Sequence, residues 1–367
     1  MGVWGIPIII LCIIMRPYTV KKKRGKNKNS KKRMHITCGK HITSGKHITS
    51  GKHTTSGKHI TSGKHITSGH PLIEVVRNNM TESLHTGHLL ILNEKGQIQL
   101  SLGNHDFLIY PRSAIKAIQA SAMVRHGLDI PDDLLALVSS SHIGTPLHQQ
   151  KVQEILATVG LDQSILQNTP FLPMYSERSA NGLPTSLAAP CSGKHAGMIV
   201  TSKLNNWSLK TYKSPRHPMQ VACKKELELL SGEKITKIAV DGCGVPLFAI
   251  TLRGLARAIH NLMRSADPVH QRVVKACKKH PEMVSGEGTL PTVAMQQVND
   301  LYVKNGAESV LVAGLSNGST IVWKVSDGSE RGAKELLSAA LKKIGINYKF
   351  STNNDPHVLI RVAPPLG

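Results

Sequence analysis

PRSAIKAIQA, residues 111–120, sets a proline, a serine and a lysine at the start of a helical pattern. Ser113 and Lys116 are three residues apart, so on a helix their side chains share one face. A serine hydroxyl is a weak nucleophile until a neighbouring base takes its proton. A lysine partly desolvated in a cleft is neutral enough to do so. The amides at a helix N-terminus also favour negative charge developing nearby. A solvated helix face would show the same spacing, so the surroundings decide between the two readings.

Working outward, LIEVVR (72–77), HLLILNE (88–94) and QIQLSLG (97–103) read as strands, with EKG as a turn. Helical patterns follow at 112–127, 131–142 and 145–159, then at 193–206 and 217–231. KIAV (237–240) reads as a short strand, and further helices occupy 246–300. The strands SVLVAGL (309–315) and STIVWKV (319–325) and a helix at 331–344 complete the pattern. Strands near both ends with helices between them predict an α/β or α+β sheet built from distant segments.

The first seventy residues have a different texture. They hold 15 of the 46 Lys and Arg and no Asp or Glu, which leaves 31 basic against 23 acidic side chains, or +8, in the rest. Residues 35–70 are six hexads of the HITSGK type. One isoleucine per hexad buries too little apolar area to offset the entropy of ordering, which predicts a disordered basic tail at 1–70 and a folded domain at 71–367. A histidine every sixth residue could form a metal-binding array, but nothing in the repeat preorganises the ligands. The GK of each hexad is followed by His rather than Ser or Thr, which excludes a phosphate-binding P-loop. Only the tail has the charge expected of a partner for polyanions or anionic membranes. The apolar run WGIPIIILCIIM (4–15) is short for a membrane span, and six widely spaced cysteines favour a reducing, cytoplasmic setting.

Two more constellations could carry chemistry. In VSSSHIG (138–144), Ser141 and His142 close a helical pattern. CSGKHAG (191–197) and DGCGVP (241–246) each set a cysteine among glycines. Two thiolates are soft ligands suited to zinc, and Lys194 could join them only as the neutral amine. Two ordinary buried cysteines would fit the spacing equally well.

Taken in order, PLIEVVR, ESLHTGH, YPRSAIKAIQA, SSSHIG, CSGKHAGM, HPMQ, DGCGVP, KNGAES and WKVSDG resemble the rhizobial-type, zinc-containing L-asparaginases, the asparaginase II family, over roughly residues 71–345. The resemblance implies an α/β fold similar to the serine β-lactamases and glutaminases. It also implies hydrolysis of the side-chain amide of L-asparagine. Two Ser–Lys pairs follow from it, Ser113 with Lys116 and Ser141 with Lys304. So does a zinc site of Cys191, Lys194 and Cys243, with Asp241 as an outer partner. Arg112 and His195 are then expected at the substrate carboxylate, Lys116 is expected to deprotonate Ser113, and the enzyme is expected to be a homodimer. The chain departs from the family pattern at Thr289, where arginine is expected, at Pro291, at Ser309, where glycine is expected, and at Ala189-Pro190. Those departures keep open a degenerate, ligand-binding member, and the shared Ser-x-x-Lys logic keeps open a related serine hydrolase acting on glutamine or β-lactams.

Overall fold

The computed structural model describes residues 69–175, 183–351 and 357–367. The apolar run and the hexad tail lie outside the described residues, apart from the last two positions. Four strands come first: β1 (His70–Arg77), β2 (Met80–Leu92), β3 (Ile98–Leu102) and the short β4 (Leu108–Ile109). A 3-10 turn at Arg112–Ile115 leads into α1 (Lys116–Arg125), α2 (Asp132–Val138), α3 (Pro146–Ala157), α4 (Ser192–Leu204) and α5 (Pro218–Ser231). The short strands β5 (Ile238–Val240), β6 (Pro246–Phe248) and β7 (Ile250–Thr251) precede α6 (Leu252–Arg264), α7 (Pro268–Lys279), α8 (Pro281–Val284) and α9 (Leu290–Gln297). The chain then forms β8 (Tyr302–Gly306), β9 (Val310–Gly314), β10 (Thr320–Val325), α10 (Ala333–Lys343) and β11 (Val358–Val362).

The fold is of the expected α/β class. Its main sheet runs β11-β1-β2-β10-β9-β8, with β3 also paired to β2, and every pairing is antiparallel. Both ends of the described chain therefore meet in one sheet, with Ile73 opposite Val362 and Ile91 opposite Ile321. Residues Val310–Gly314 are buried throughout, as expected of a strand covered on both faces. Helix α6 packs on β2, β9 and β10, and behind it α5 and α7 carry α1 and α2. No described helix is long and apolar enough to cross a membrane.

Helix α4 is central to the site. Every residue from Ser192 to Ser202 is buried. A wholly buried helix must satisfy its own hydroxyls, and Thr201 and Ser202 donate to the carbonyls of Gly197 and Met198 one turn back. A β-carbon on Gly193 would lie 2.3 Å from the Leu137 carbonyl oxygen, and one on Gly197 would lie 2.8 Å from the Val138 side chain. The two glycines after Cys191 therefore lie within the helix and make no turn there. They are a helix face that lets the end of α2 approach α4 closely.

Candidate active site

That close approach fixes Ser141. Helix α2 ends at Val138, short of the predicted 142, and the chain runs on without helical form. Backbone N–H of Ser141 donates to Val284 O at 2.9 Å. His142 is fully buried: its Nδ1 accepts from Gly144 N–H, so Nε2 carries the hydrogen, toward Ser192 Oγ 2.8 Å away. Burial first, then His148 and Lys116, hold His142 well below the ordinary histidine range. A neutral imidazole thus ties the serine loop to α4, a role that the Ser-His pairing in the sequence did not reveal.

Lys116 opens α1 and is 2 % exposed. Its Nζ donates to Ser141 Oγ at 3.1 Å, to Pro190 O at 3.4 Å and to the carbonyl of Ser140. Ser113 is not among these partners, although it lines the same cavity as Ser141. Burial, assisted by the charge of Lys194, pulls the Lys116 amine down to about 8. Lys304, on β8, is completely buried, and its Nζ donates to Asn305 O at 2.7 Å and Asn305 Oδ1 at 3.2 Å. Burial, then Lys116, depresses it well below the usual lysine range. Ser141 is therefore held by Lys116 and not by Lys304, the partner that the resemblance implied.

The cysteines form a second cluster. Cys191 caps the N-terminus of α4, and Cys243 sits in the turn between β5 and β6, where Gly244 has φ +90°. Ligand atoms of Cys191, His195 and Cys243 lie within 4.8 Å of one another. Lys194 Nζ donates to Cys243 Sγ at 3.3 Å. The two thiols share a proton: a hydrogen bond from Cys191 holds Cys243 as the thiolate and keeps Cys191 protonated. Burial alone would lower Lys194, but the adjacent sulfurs and Asp241 outweigh it and raise its affinity for a proton. His195 Nε2 is buried without a hydrogen-bond partner among the described residues, while Nδ1 is 2.6 Å from Tyr212 Oη. Two sulfurs and an imidazole nitrogen fit a thiophilic ion such as zinc, which would displace the shared proton and, for Lys194 to join as the neutral amine, the proton of Lys194 as well.

Two expected substrate contacts are placed elsewhere. His195 is completely buried beside the thiols and does not line the serine cavity. Arg112 donates from Nε to Asp241 Oδ1 at 2.9 Å and faces a separate cleft with Phe107 and Leu247. Its φ of +52° is unusual for a bulky residue and costs about 1–3 kcal/mol. Asp241 lies 3.8 Å from Cys243 Sγ, so it couples Arg112 to the thiol cluster. Thr289, lacking the arginine side chain expected there, donates to Gly286 O at 2.8 Å and lines the serine cavity, as do Pro190, Pro291 and Ser309.

The chain matches the sequence profile of L-asparaginase II over residues 73–359. It belongs to the L-asparaginase II family. No curated protein matches it. Among solved structures it is similar to Mglu in its native form, with TM-score 0.41 and 11% identity over 73% of this chain and 66% of that one, just under two thirds of its length. It is also similar to EstCE1, a hydrolase with promiscuous acyltransferase activity, with TM-score 0.36 and 11% identity over 70% and 93% of the two chains. A third likeness is to a protein of Bacteroides dorei DSM 17855 assigned as a beta-lactamase, with TM-score 0.38 and 15% identity over 77% and 94%.

Proposed function

We propose that the protein hydrolyses the side-chain amide of L-asparagine to aspartate and ammonia, with Lys116 as the proton carrier for two serines. The observation that supports this most is the buried Lys116 amine, lowered to about 8, on Ser141 Oγ at 3.1 Å in a cavity that Ser113 also lines. A lysine in that range is part neutral at pH 7–8 and can both take and return a proton. In this reading neutral Lys116 takes the proton of Ser113, one helical turn before it, and Ser113 Oγ bonds to the amide carbon. Lys116 then passes the proton through Ser141 to the nitrogen, the C–N bond breaks and ammonia leaves. Water, deprotonated by the same lysine, cleaves the resulting ester. Lys304, whose affinity for a proton burial lowers, is a further buried amine near Lys116.

Cys191, Cys243, Lys194 and His195 would hold zinc, which when bound would neutralise the thiolates and polarise or orient a substrate carbonyl or carboxylate. Ammonia release from L-asparagine by the full chain, compared with Ser113→Ala and Ser141→Ala, tests the reading. Release that Ser113→Ala abolishes and Ser141→Ala slows sharply supports it. Release that neither substitution alters would overturn it.

A further inference from the structure

The cavity in front of Ser113 and Ser141 has a volume of about 730 Å³. That is the size of pockets that enclose drug-sized ligands, and free asparagine would fill only the part beside the serines. The rest is walled by Ile143, Met174, Leu290, Trp323 and Ile360, drawn from segments far apart in the chain. Apolar wall of this kind gains stability when an apolar group displaces water from it. The charges on the lining point the same way. Among the described residues Lys334 is the one cation on this lining, and its Nζ is already engaged with Ser351 O at 2.9 Å. Glu330 is exposed on the same lining. Beyond the serines the cavity therefore offers apolar surface and two carboxylates, Glu330 and the less exposed Glu335, which suit a hydrophobic group and an ammonium.

We propose that the preferred substrate is asparagine as the second residue of a short peptide, behind an N-terminal residue with a large apolar side chain. This rests on the amidohydrolase reading of the same site. The asparagine carboxamide would meet the serines, the preceding side chain would cover the apolar wall, and the free N-terminal ammonium would face Glu330. The chemistry is unchanged: Ser113 Oγ adds to the side-chain carbonyl carbon, the C–N bond breaks and ammonia leaves, and water then cleaves the ester to release an aspartyl peptide and restore the serine.

The test is kcat/KM for ammonia release by the full-length protein with L-asparagine, Gly-Asn, Phe-Asn and N-acetyl-Phe-Asn. Phe-Asn is expected to exceed both asparagine and Gly-Asn at least tenfold, and acetylation to remove several-fold of that gain. In Glu330→Gln the ratio of Phe-Asn to N-acetyl-Phe-Asn is expected to fall toward one. Asparagine turned over as well as or better than Phe-Asn overturns the inference and leaves the asparaginase reading standing. No ammonia from any of the four overturns both.

Discussion

Lys116 sits where two effects compete. Burial favours the neutral amine, while the neighbouring thiolate and Asp241 favour the ammonium, and burial wins, leaving the group at about 8. Below that value the lysine is charged and cannot accept the serine proton. The expected kcat/KM therefore falls about tenfold per pH unit below about 8 and is flat just above it. A profile level from pH 6 to 9 would remove Lys116 from the base role. Lys116→Met, which keeps the chain's bulk but not its proton chemistry, is expected to lower kcat by about 10²- to 10⁴-fold. At the second cluster, cobalt added to the full-length protein should give a thiolate-to-metal absorption band that is lost in Cys243→Ser, and weak or absent intensity in the unsubstituted protein would count against the metal site. These residues were legible one by one in the sequence, because Ser-x-x-Lys and the two cysteine motifs are local patterns. Their pairing was not. That Lys116 holds Ser141, and that Arg112 pairs with Asp241 129 positions away, depends on how the helices stack.

Elements bring these residues together, and their glycines mark where the fit is tight. Gly193→Ala would push a methyl group to 2.3 Å from the Leu137 carbonyl, an overlap with backbone that no rotamer change can relieve. It is expected to destabilise the protein by about 2–3 kcal/mol, read as a lowered unfolding midpoint, with activity lost further as Ser141 moves off Lys116. The turn between β8 and β9 has the opposite defect. Glu308 and Ser309 both have left-handed φ, at +63° and +51°. That conformation costs an ordinary side chain about 1–2 kcal/mol, and glycine escapes it at an entropic cost of about 0.5–1 kcal/mol. Ser309→Gly is therefore expected to stabilise the protein by about 0.5–1 kcal/mol, and a lowered midpoint would contradict this. Most elements were readable from periodicity, but β4, β8 and β11 were not, and the short β6 and β7 fall at the start of the 246–300 span that was read as helical. YVKNG reads locally as a turn, and only pairing with β9 makes it a strand, while VLIRV depends on β1, more than 280 residues earlier in the chain. Helix α2 was read four residues too long because its polar end, Ser139–Ser141, gives no stop signal; the contact with Val284 ends it.

For the whole molecule, charge and chemistry belong to different parts of the chain. The catalytic candidates all lie between Arg112 and Lys304, whereas 15 of the 46 basic residues precede position 71 with no acidic residue among them. The segment from 71 onward balances 31 basic with 23 acidic side chains, and many of these are spent on one another, as in Arg125 with Glu226 and Asp267 or Lys278 with Asp300. Its surface therefore has little cationic charge left to attract a polyanion, and aromatic residues, at 4% of the chain, are too few for base stacking to be its mode of recognition. We propose that any polyanion affinity resides in the first seventy residues. Binding of the full chain to duplex DNA is then expected to fall about 10³-fold or more between 50 and 200 mM salt, as counterion release requires when six or more phosphates are neutralised. Removing residues 1–68 should abolish that binding and leave ammonia release from asparagine intact. If the shortened chain bound DNA with the same salt dependence, the charge responsible would lie on the folded part, and the division between a basic leader and a catalytic domain would fail.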